Sequence, residues 1–213
     1  MSSVTPGGIE EAFRNANLAP LPKVAYEQME AYLEILGRWN ARLNLTSLRS
    51  PAEIMRRHFV ECAFAAEKLP TGIATLMDYG SGAGFPGMVI AICRPEISVT
   101  LAEAHAKKAS FLREVVRSLG LQAEVYSSRV EEMPGSRRFD AVSMRAVEKM
   151  EQAIPMAINH VEQFLALLTT QPLAIAYREQ FLELEFRDGI PLPNSEQAIL
   201  VLAVPRGTKR LST

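Results

Sequence analysis

Residues 75–103 read TLMDYGSGAGFPGMVIAICRPEISVTLAE, and this stretch decides the fold class. An apolar run ends at Asp78, and a short apolar helix then leads to a second strand-like run that ends at Glu103. The loop between the first run and the helix carries Gly80, Gly82, Gly84 and Gly87. Glycines let the backbone approach a ligand closely. A helix start offers unpaired N–H groups, and an acid after the second strand suits a ribose diol. The stretch predicts a nucleoside-binding crevice.

The loop fits two cofactor classes. Residues 82–87, GAGFPG, satisfy the dinucleotide pattern G-x-G-x-x-G. Asp78, however, would repel a pyrophosphate and attract an ammonium or sulfonium group. Pro86 also removes a backbone N–H that a phosphate would need. The residues therefore favour S-adenosylmethionine, and a nicotinamide oxidoreductase stays the alternative.

The composition indicates one large globular domain or a domain with an appendage, since 48% of 213 residues are hydrophobic. No segment reaches a transmembrane length, and the N-terminus lacks the pattern of a signal peptide. Cys62 and Cys93 lack metal-ligand spacing, so we expect reduced thiols and no metal site. These features predict a cytoplasmic protein without membrane association, and nothing in the sequence demands more than a monomer.

The net charge of −1 gives the whole molecule no general attraction for nucleic acid. Any RNA site must come from local basic clusters, most of which are typical of solvated helix faces. The candidates are Arg49, Arg56, Arg57 and His58; Lys107, Lys108, Arg113 and Arg117; Arg137 and Arg138; and Arg206, Lys209 and Arg210. The composition permits an RNA substrate without requiring one.

The chain divides into a helical section, 1–70, and an α/β section, 71–213. Helical spacing predicts helices over 8–18 and 24–43. Ser50-Pro51-Ala52-Glu53 has the pattern of a capping box that opens a third helix, which ends near Lys68. We expect the first section to be an N-terminal helical cap over the carboxyl ends of the strands.

The α/β section alternates short apolar runs with helical patterns. Strands are predicted at 73–78, 97–103, 122–126, 139–144, 164–169 and 199–204, with another near 181–187, and helices at 86–93, 106–119 and 148–162. This alternation indicates a Rossmann-like, mostly parallel sheet with helices on both faces. DGIPLPNSEQ is too short for a helical crossover, so the last two strands should form an antiparallel edge hairpin. Such an ending favours the seven-stranded class I methyltransferase sheet over a dehydrogenase.

Three segments in a fixed order carry a family resemblance. They are WNARLNLTSLRSPAEIMRRHFVE, MDYGSGAGFPGMVIAICRPEISVTLAEAHAKKASFLREVVRSLGL and SSRVEEMPGSRRFDAVSMRAV. The chain resembles the bacterial 16S ribosomal RNA (guanine-N7) methyltransferase G family, also called glucose-inhibited division protein B, over about residues 28–147. The resemblance implies S-adenosylmethionine as cofactor, 16S rRNA of the small ribosomal subunit as partner, and methyl transfer to guanine N7.

The resemblance also implies site residues. The implied cofactor positions are Gly80, Gly82, Gly84, Phe85, Glu103, Val130, Glu131 and Arg145, to which the residue pattern adds Asp78. The implied substrate side comprises Asn44, Thr46 and Arg57, and Lys107 joins them from the basic clusters. Arg145 and His58 are the predicted catalytic residues. Two readings stay open for Arg145: it holds the guanine O6 or a phosphate, or it pairs with Asp140 or Glu131. Phe85 either packs the loop or stacks on the cofactor.

Three departures from the family pattern concern the substrate side. Glu61 and Cys62 stand where the family has Asp-Ser, and Leu168 and Thr169 stand where it has Lys-Gly. The C-terminal section also looks shortened. A weakened enzyme or a non-catalytic cofactor-binding relative is therefore the alternative to an active methyltransferase.

Overall fold

The computed structural model describes residues 6–207, with only the backbone of Pro6 and Gly7, so the predicted basic residues Lys209 and Arg210 lie outside it. The first section is helical, as predicted. Its helices are α1 (Pro6–Asn15), α2 (Lys23–Leu43), α3 (Pro51–Ile54) and α4 (Glu61–Lys68), with a π-helical segment, Met55–Val60, joining α3 to α4. The predicted capping box is wrong in detail, because the Ser50 side chain makes no capping hydrogen bond.

A single mixed sheet forms the centre of the second section. Its strands are β1 (Thr75–Tyr79), β2 (Ser98–Ala102), β3 (Ala123–Tyr126), β4 (Phe139–Arg145), β5 (Val161–Thr170), β6 (Leu184–Phe186), β7 (Ile190–Pro191) and β8 (Ala198–Pro205). Their order is β3-β2-β1-β4-β5-β8-β6, with β7 paired to β8. Strands β1 to β5 are parallel, and β8 is antiparallel to both β5 and β6. The mostly parallel sheet and its antiparallel edge hairpin are confirmed, and the two-residue β7 adds a short eighth strand.

The remaining helices cover both faces of the sheet. They are α5 (Gly87–Cys93), α6 (Ala106–Leu119), α7 (Met150–Ile158) and α8 (Gln171–Gln180), and Val130–Glu132 forms a 3-10 turn. The predicted helix at 148–162 is too long, because β5 already begins at Val161. Helix α8 has no counterpart among the predicted elements.

The N-terminal helices share one core with the sheet. Met29 of α2 and Phe59 belong to the same buried cluster as Leu76 of β1 and Phe111 of α6. Met77, the neighbour of Leu76, belongs instead to a second cluster, because successive strand residues face opposite sides of a sheet. The division at residue 70 stays a prediction.

Both cysteines are free, as predicted; Cys62 is buried and Cys93 is partly buried. Burial raises the pKa of each thiol to about 12. Within residues 6–207, no group of His, Cys, Asp and Glu side chains could hold a metal ion. The same region contains no helix of the length and apolarity that a membrane crossing requires.

Candidate active site

The glycine loop lies at the carboxyl end of β1, next to the point where the strand order reverses between β1 and β4. In open α/β sheets, ligands bind at this point. Gly84 has φ +89°, and a Cβ there would lie 2.5 Å from the hydroxyl oxygen of Tyr32. Gly87 opens α5, and a Cβ there would lie 2.5 Å from Cβ of Asp78. The loop can follow its path only because these two positions lack side chains.

Glu103 fastens the glycine loop to the end of β2. Its Oε2 accepts a hydrogen bond from the backbone N–H of Gly82 at 2.9 Å, and its Oε1 accepts one from His105 N–H at 2.7 Å. The side chain is thus fixed where parallel strands β1 and β2 end. A carboxylate oxygen accepts more than one hydrogen bond, so Glu103 retains lone pairs for ligand hydroxyls.

Asp78 carries a buried acceptor without a partner. Ser143 Oγ donates a hydrogen bond to Asp78 Oδ1 at 2.8 Å, whereas Oδ2 has no hydrogen-bond partner among the described residues. Burial raises the pKa of this carboxyl group to about 6, whereas Ser143, Ser81 and the backbone N–H of Gly87 act to lower it. Unpaired buried oxygens are rare, because each forfeits its hydration. The buried carboxylate therefore places a negative charge behind the glycine loop, which suits a cofactor with a positive charge and disfavours a phosphate.

Phe85 is enclosed by side chains from the N-terminal section. Its ring stacks with that of Tyr32 at 5.2 Å between centroids and with that of His58 at 4.6 Å, and Phe59 meets it edge-on. Only 8% of Phe85 is exposed. This geometry agrees with the packing role for Phe85 and leaves little of the ring for a cofactor. The Tyr32 hydroxyl also donates a hydrogen bond to the carbonyl of Ala83 inside the loop.

His58 is neutral near pH 7. Burial, followed by the nearby Arg145 charge, lowers its pKa to about 4. Its Nε2 pairs with Thr46 Oγ1 at 2.9 Å, and the Thr46 backbone N–H in turn donates to Asn40 Oδ1. Asn44 is exposed at the left-handed end of α2 and accepts a hydrogen bond from Arg49. The structure thus brings Thr46 and His58 together beside the loop and leaves Asn44 on the surface.

Arg145, the last residue of β4, does not pair with either predicted acid. Its Nη2 donates to Glu61 Oε2 at 2.7 Å and to the carbonyl of Arg57 at 2.6 Å, and its Nη1 donates to Cys62 Sγ at 3.0 Å. The predicted pairing with Asp140 or Glu131 is therefore wrong. Asp140 is near the start of β4, where it accepts hydrogen bonds from Ala74, Thr75 and Gln163, about 17 Å along the strand from Arg145.

A cavity of about 340 Å³ opens beside Arg145, at the carboxyl ends of β4 and β5. Arg57, Glu61 and Arg145 supply its charged wall. Leu168 and Thr169, the positions that depart from the family's Lys-Gly pair, line it as well. The rest of the lining is mostly apolar: Ala146, Val147, Met150, Thr170, Leu173, Tyr177, Leu192 and Ala198. Val147 also contacts the glycine loop, since a Cβ on Gly80 would lie 3.4 Å from its side chain.

The other predicted residues lie around this centre. Val130 is buried in the same cluster as Tyr79, and Glu131 is exposed beside it. Burial and the Glu131 carboxylate raise the pKa of Tyr79 to about 12, which places Glu131 near the end of β1. Lys107 is exposed in the first turn of α6, and none of the side-chain hydrogen bonds or ion pairs found in residues 6–207 involves its ammonium group.

Sequence reasoning missed three residues that shape the site: Tyr32, Glu61 and Ser143. Tyr32 gave only the signal of a buried helical stripe. Glu61 gave a stronger one, since it departs from the Asp-Ser pattern of the family. Ser143 gave none, because a serine inside an apolar strand has no distinguishing spacing.

Comparison with known families identifies relatives over most of the chain. A family model described as rRNA small subunit methyltransferase G matches residues 25–187. A protein of that name from Methylobacillus flagellatus is 38% identical over 143 residues, which are 67% of this chain and 68% of the relative. Another from a Nocardioides species is 38% identical over 148 residues, which are 69% of this chain but only 59% of that relative.

Solved structures agree on the fold. The O-methyltransferase TomG from Streptomyces achromogenes, crystallised in complex with SAM, superposes with a TM-score of 0.59. The match covers 83% of this chain and 90% of TomG at 13% sequence identity. At this identity the likeness establishes the methyltransferase fold alone.

Proposed function

This chain belongs to the rRNA small subunit methyltransferase G family, and from that premise we propose that it transfers a methyl group from S-adenosylmethionine to N7 of a guanine in 16S rRNA. The observation that carries the proposal is the arrangement of Asp78, the glycine loop and Glu103 at the strand-order reversal. This arrangement offers two carboxylates and a glycine backbone that a ligand can approach closely, and both features suit a cationic nucleoside.

Each cofactor contact has a physical basis. Glu103 would accept hydrogen bonds from the ribose hydroxyls, and the buried Asp78 carboxylate would attract an ammonium or sulfonium charge from behind the loop. Gly80, Gly82 and Gly84 would border the cofactor with backbone, and Val130 and Glu131 would flank the adenine. Phe85 would support the loop from behind. When bound, S-adenosylmethionine supplies an electrophilic methyl group.

Methylation of guanine N7 needs alignment more than proton transfer. N7 carries a free lone pair, so no residue has to remove a proton, and catalysis can come from holding donor and acceptor close and in line. His58 suits this chemistry as a neutral support: its pKa of about 4 keeps it uncharged beside the loop. Arg145 would bind guanine O6 or a phosphate from the opposite side.

The RNA would approach the edge where the strands end. Arg57 and Arg145 line the cavity there, and Thr46, Asn44 and Lys107 are the further predicted contacts. A loop guanine swung out of its stack could reach the cofactor, whereas a paired guanine is shielded. Helices of residues 1–70 would act as the cap over this edge, and the protein would work as a cytoplasmic monomer.

Two measurements test the function. Isothermal titration should detect S-adenosylhomocysteine binding and no NAD binding; NAD binding alone would end the proposal. Small subunits from a strain that lacks this modification should gain N7-methylguanine when incubated with the protein and S-adenosylmethionine.

A second candidate rests on the uncharged pair Leu168 and Thr169, which stand where the family has Lys-Gly and line the cavity. Such a protein would bind cofactor and RNA without turnover. Binding of S-adenosylhomocysteine without any methylated guanine would favour this second candidate.

A further inference from the structure

Glu61 is a buried carboxylate between the N-terminal helices and the sheet. Only 2% of its side chain is exposed, and it begins α4 directly after the π-helical segment. Its Oε2 accepts the hydrogen bond from Arg145, and its Oε1 lies 3.7 Å from Arg57 Nε. One buried acid therefore serves two arginines at the wall of the cavity.

The Arg145 guanidinium is held from three directions. Glu61, the Cys62 sulfur and the Arg57 carbonyl each accept one of its hydrogen bonds, and all three belong to the segment 57–62. A guanidinium has five N–H donors in a rigid fork. Three donors are thus occupied, and two remain: one on Nε and one on Nη1. The side chain is 15% exposed and lines the cavity, and none of the hydrogen bonds within residues 6–207 uses these two donors.

The electrostatics require the carboxylate to be paired. Burial raises the pKa of Glu61 above its ordinary value, and the charges of Arg145 and Arg57 offset only part of that rise. Its Oε1 has no hydrogen-bond partner among the described residues. A buried charge that loses its partner is costly, so the acid and the guanidinium hold each other in one arrangement.

We propose that Glu61 is a positioning residue, which fixes the Arg145 guanidinium so that its two free donors face an acceptor oxygen of the RNA in the cavity. Glu61 itself would touch neither cofactor nor RNA. The inference rests on the proposed function, since it gives Arg145 an RNA ligand. It also accounts for the Glu61-Cys62 pair, because both side chains accept hydrogen bonds from the same guanidinium.

The test is a double-mutant cycle of Glu61→Gln, Arg145→Lys and the double variant. Three quantities are measured for each: affinity for S-adenosylhomocysteine, affinity for small-subunit RNA, and kcat/KM. Glu61→Gln should lower RNA affinity and kcat/KM by about ten- to a hundredfold, as expected for a lost charged hydrogen bond. Its affinity for S-adenosylhomocysteine should stay within about twofold of the wild type. The double variant should be no worse than Arg145→Lys alone, because Glu61 acts through Arg145.

Two further variants keep the result interpretable. Glu53→Gln makes the same change at an exposed position of α3 and should match the wild type. Glu61→Asp keeps the charge and should restore much of the lost RNA affinity. If Glu61→Gln fails to fold, Glu61→Met, which removes the charge at similar volume, takes its place in the cycle.

The inference would be overturned if the losses in RNA affinity of the two single variants add up in the double variant. It would also be overturned if Glu61→Gln binds RNA as tightly as the wild type. Failure of the proposed function looks different: the wild type then binds no S-adenosylhomocysteine or methylates no guanine. RNA affinity still reports on Glu61 in a protein without turnover.

Discussion

The Asp78 carboxylate lowers the stability of the fold but favours binding of a positively charged ligand. Because its pKa rises from 3.8 to about 6 in the folded protein, the native state holds the proton more tightly than the unfolded state does. The contribution to stability is therefore full below pH 4 and is lost as the pH rises through about 6. A shift of this size corresponds to about 3 kcal/mol. The negative charge of Asp78 at neutral pH gives a reason to tolerate this cost, since it would attract a bound cation.

We expect Asp78→Asn to raise stability and to weaken cofactor binding. Chemical denaturation at pH 8 should show a higher free energy of unfolding for the variant, and the advantage should vanish at pH 4. Titration with S-adenosylhomocysteine at pH 8 should show an affinity at least about tenfold lower. Asp140→Asn is the matched control: hydrogen bonds lower the pKa of Asp140, so this variant should lose stability at pH 8 and keep its affinity. Unchanged affinity in Asp78→Asn would contradict the role of Asp78.

Gly87 is needed for space rather than for an unusual φ. A Cβ at this position would lie 2.5 Å from Asp78 Cβ and 2.7 Å from Leu101 Cδ2. We expect Gly87→Ala to lower the free energy of unfolding by about 2 kcal/mol, as overpacking does, and to displace Asp78. Gly37→Ala, in the exposed face of α2 with open space around it, should instead stabilise by about 1 kcal/mol. Thermal denaturation of both variants measures the contrast; a harmless Gly87→Ala would refute the packing argument.

At the scale of elements, α2 supports the cofactor loop from the N-terminal section. The Tyr32 hydroxyl donates to the carbonyl of Ala83, and its ring stacks on Phe85. Helices α2 and α4 also pack against α5 and α6 on one face of the sheet. The loop therefore depends on a helix more than 40 residues away in sequence.

Tyr32→Phe should leave the Ala83 carbonyl buried without its donor and loosen the loop. We expect a loss of about 1–2 kcal/mol of stability together with weaker S-adenosylhomocysteine binding. Tyr26→Phe is the control: Tyr26 is on the same helix as Tyr32, but its hydroxyl accepts from the N–H of Leu21, which precedes the helix. That variant should lose stability without losing affinity. Equal affinities in the two variants would show that α2 does not support the loop.

The sequence predicted the elements better than their contacts. Strand and glycine patterns located β1, the loop and Glu103, because these depend on local spacing. Helix α8 was missed because Thr170 ends β5 and Gln171 begins the helix without an intervening loop. The partner of Arg145 was missed because Glu61 is 84 residues distant, and only the tertiary fold, in which α4 packs against α5, brings the two together.

For the molecule as a whole, a net charge of −1 means that RNA attraction must be local. Arg57 lines the cavity at the carboxyl edge of the sheet, whereas Arg117, equally exposed, lies at the far end of α6. Arg57→Gln should weaken RNA binding and reduce the slope of log affinity against log salt by about 0.7, the value for one contact with single-stranded phosphate. Arg117→Gln changes the net charge equally and should alter neither quantity. Filter binding between 50 and 200 mM salt, an interval of about fourfold, measures both slopes; equal effects would mean that overall charge, rather than this edge, attracts the RNA.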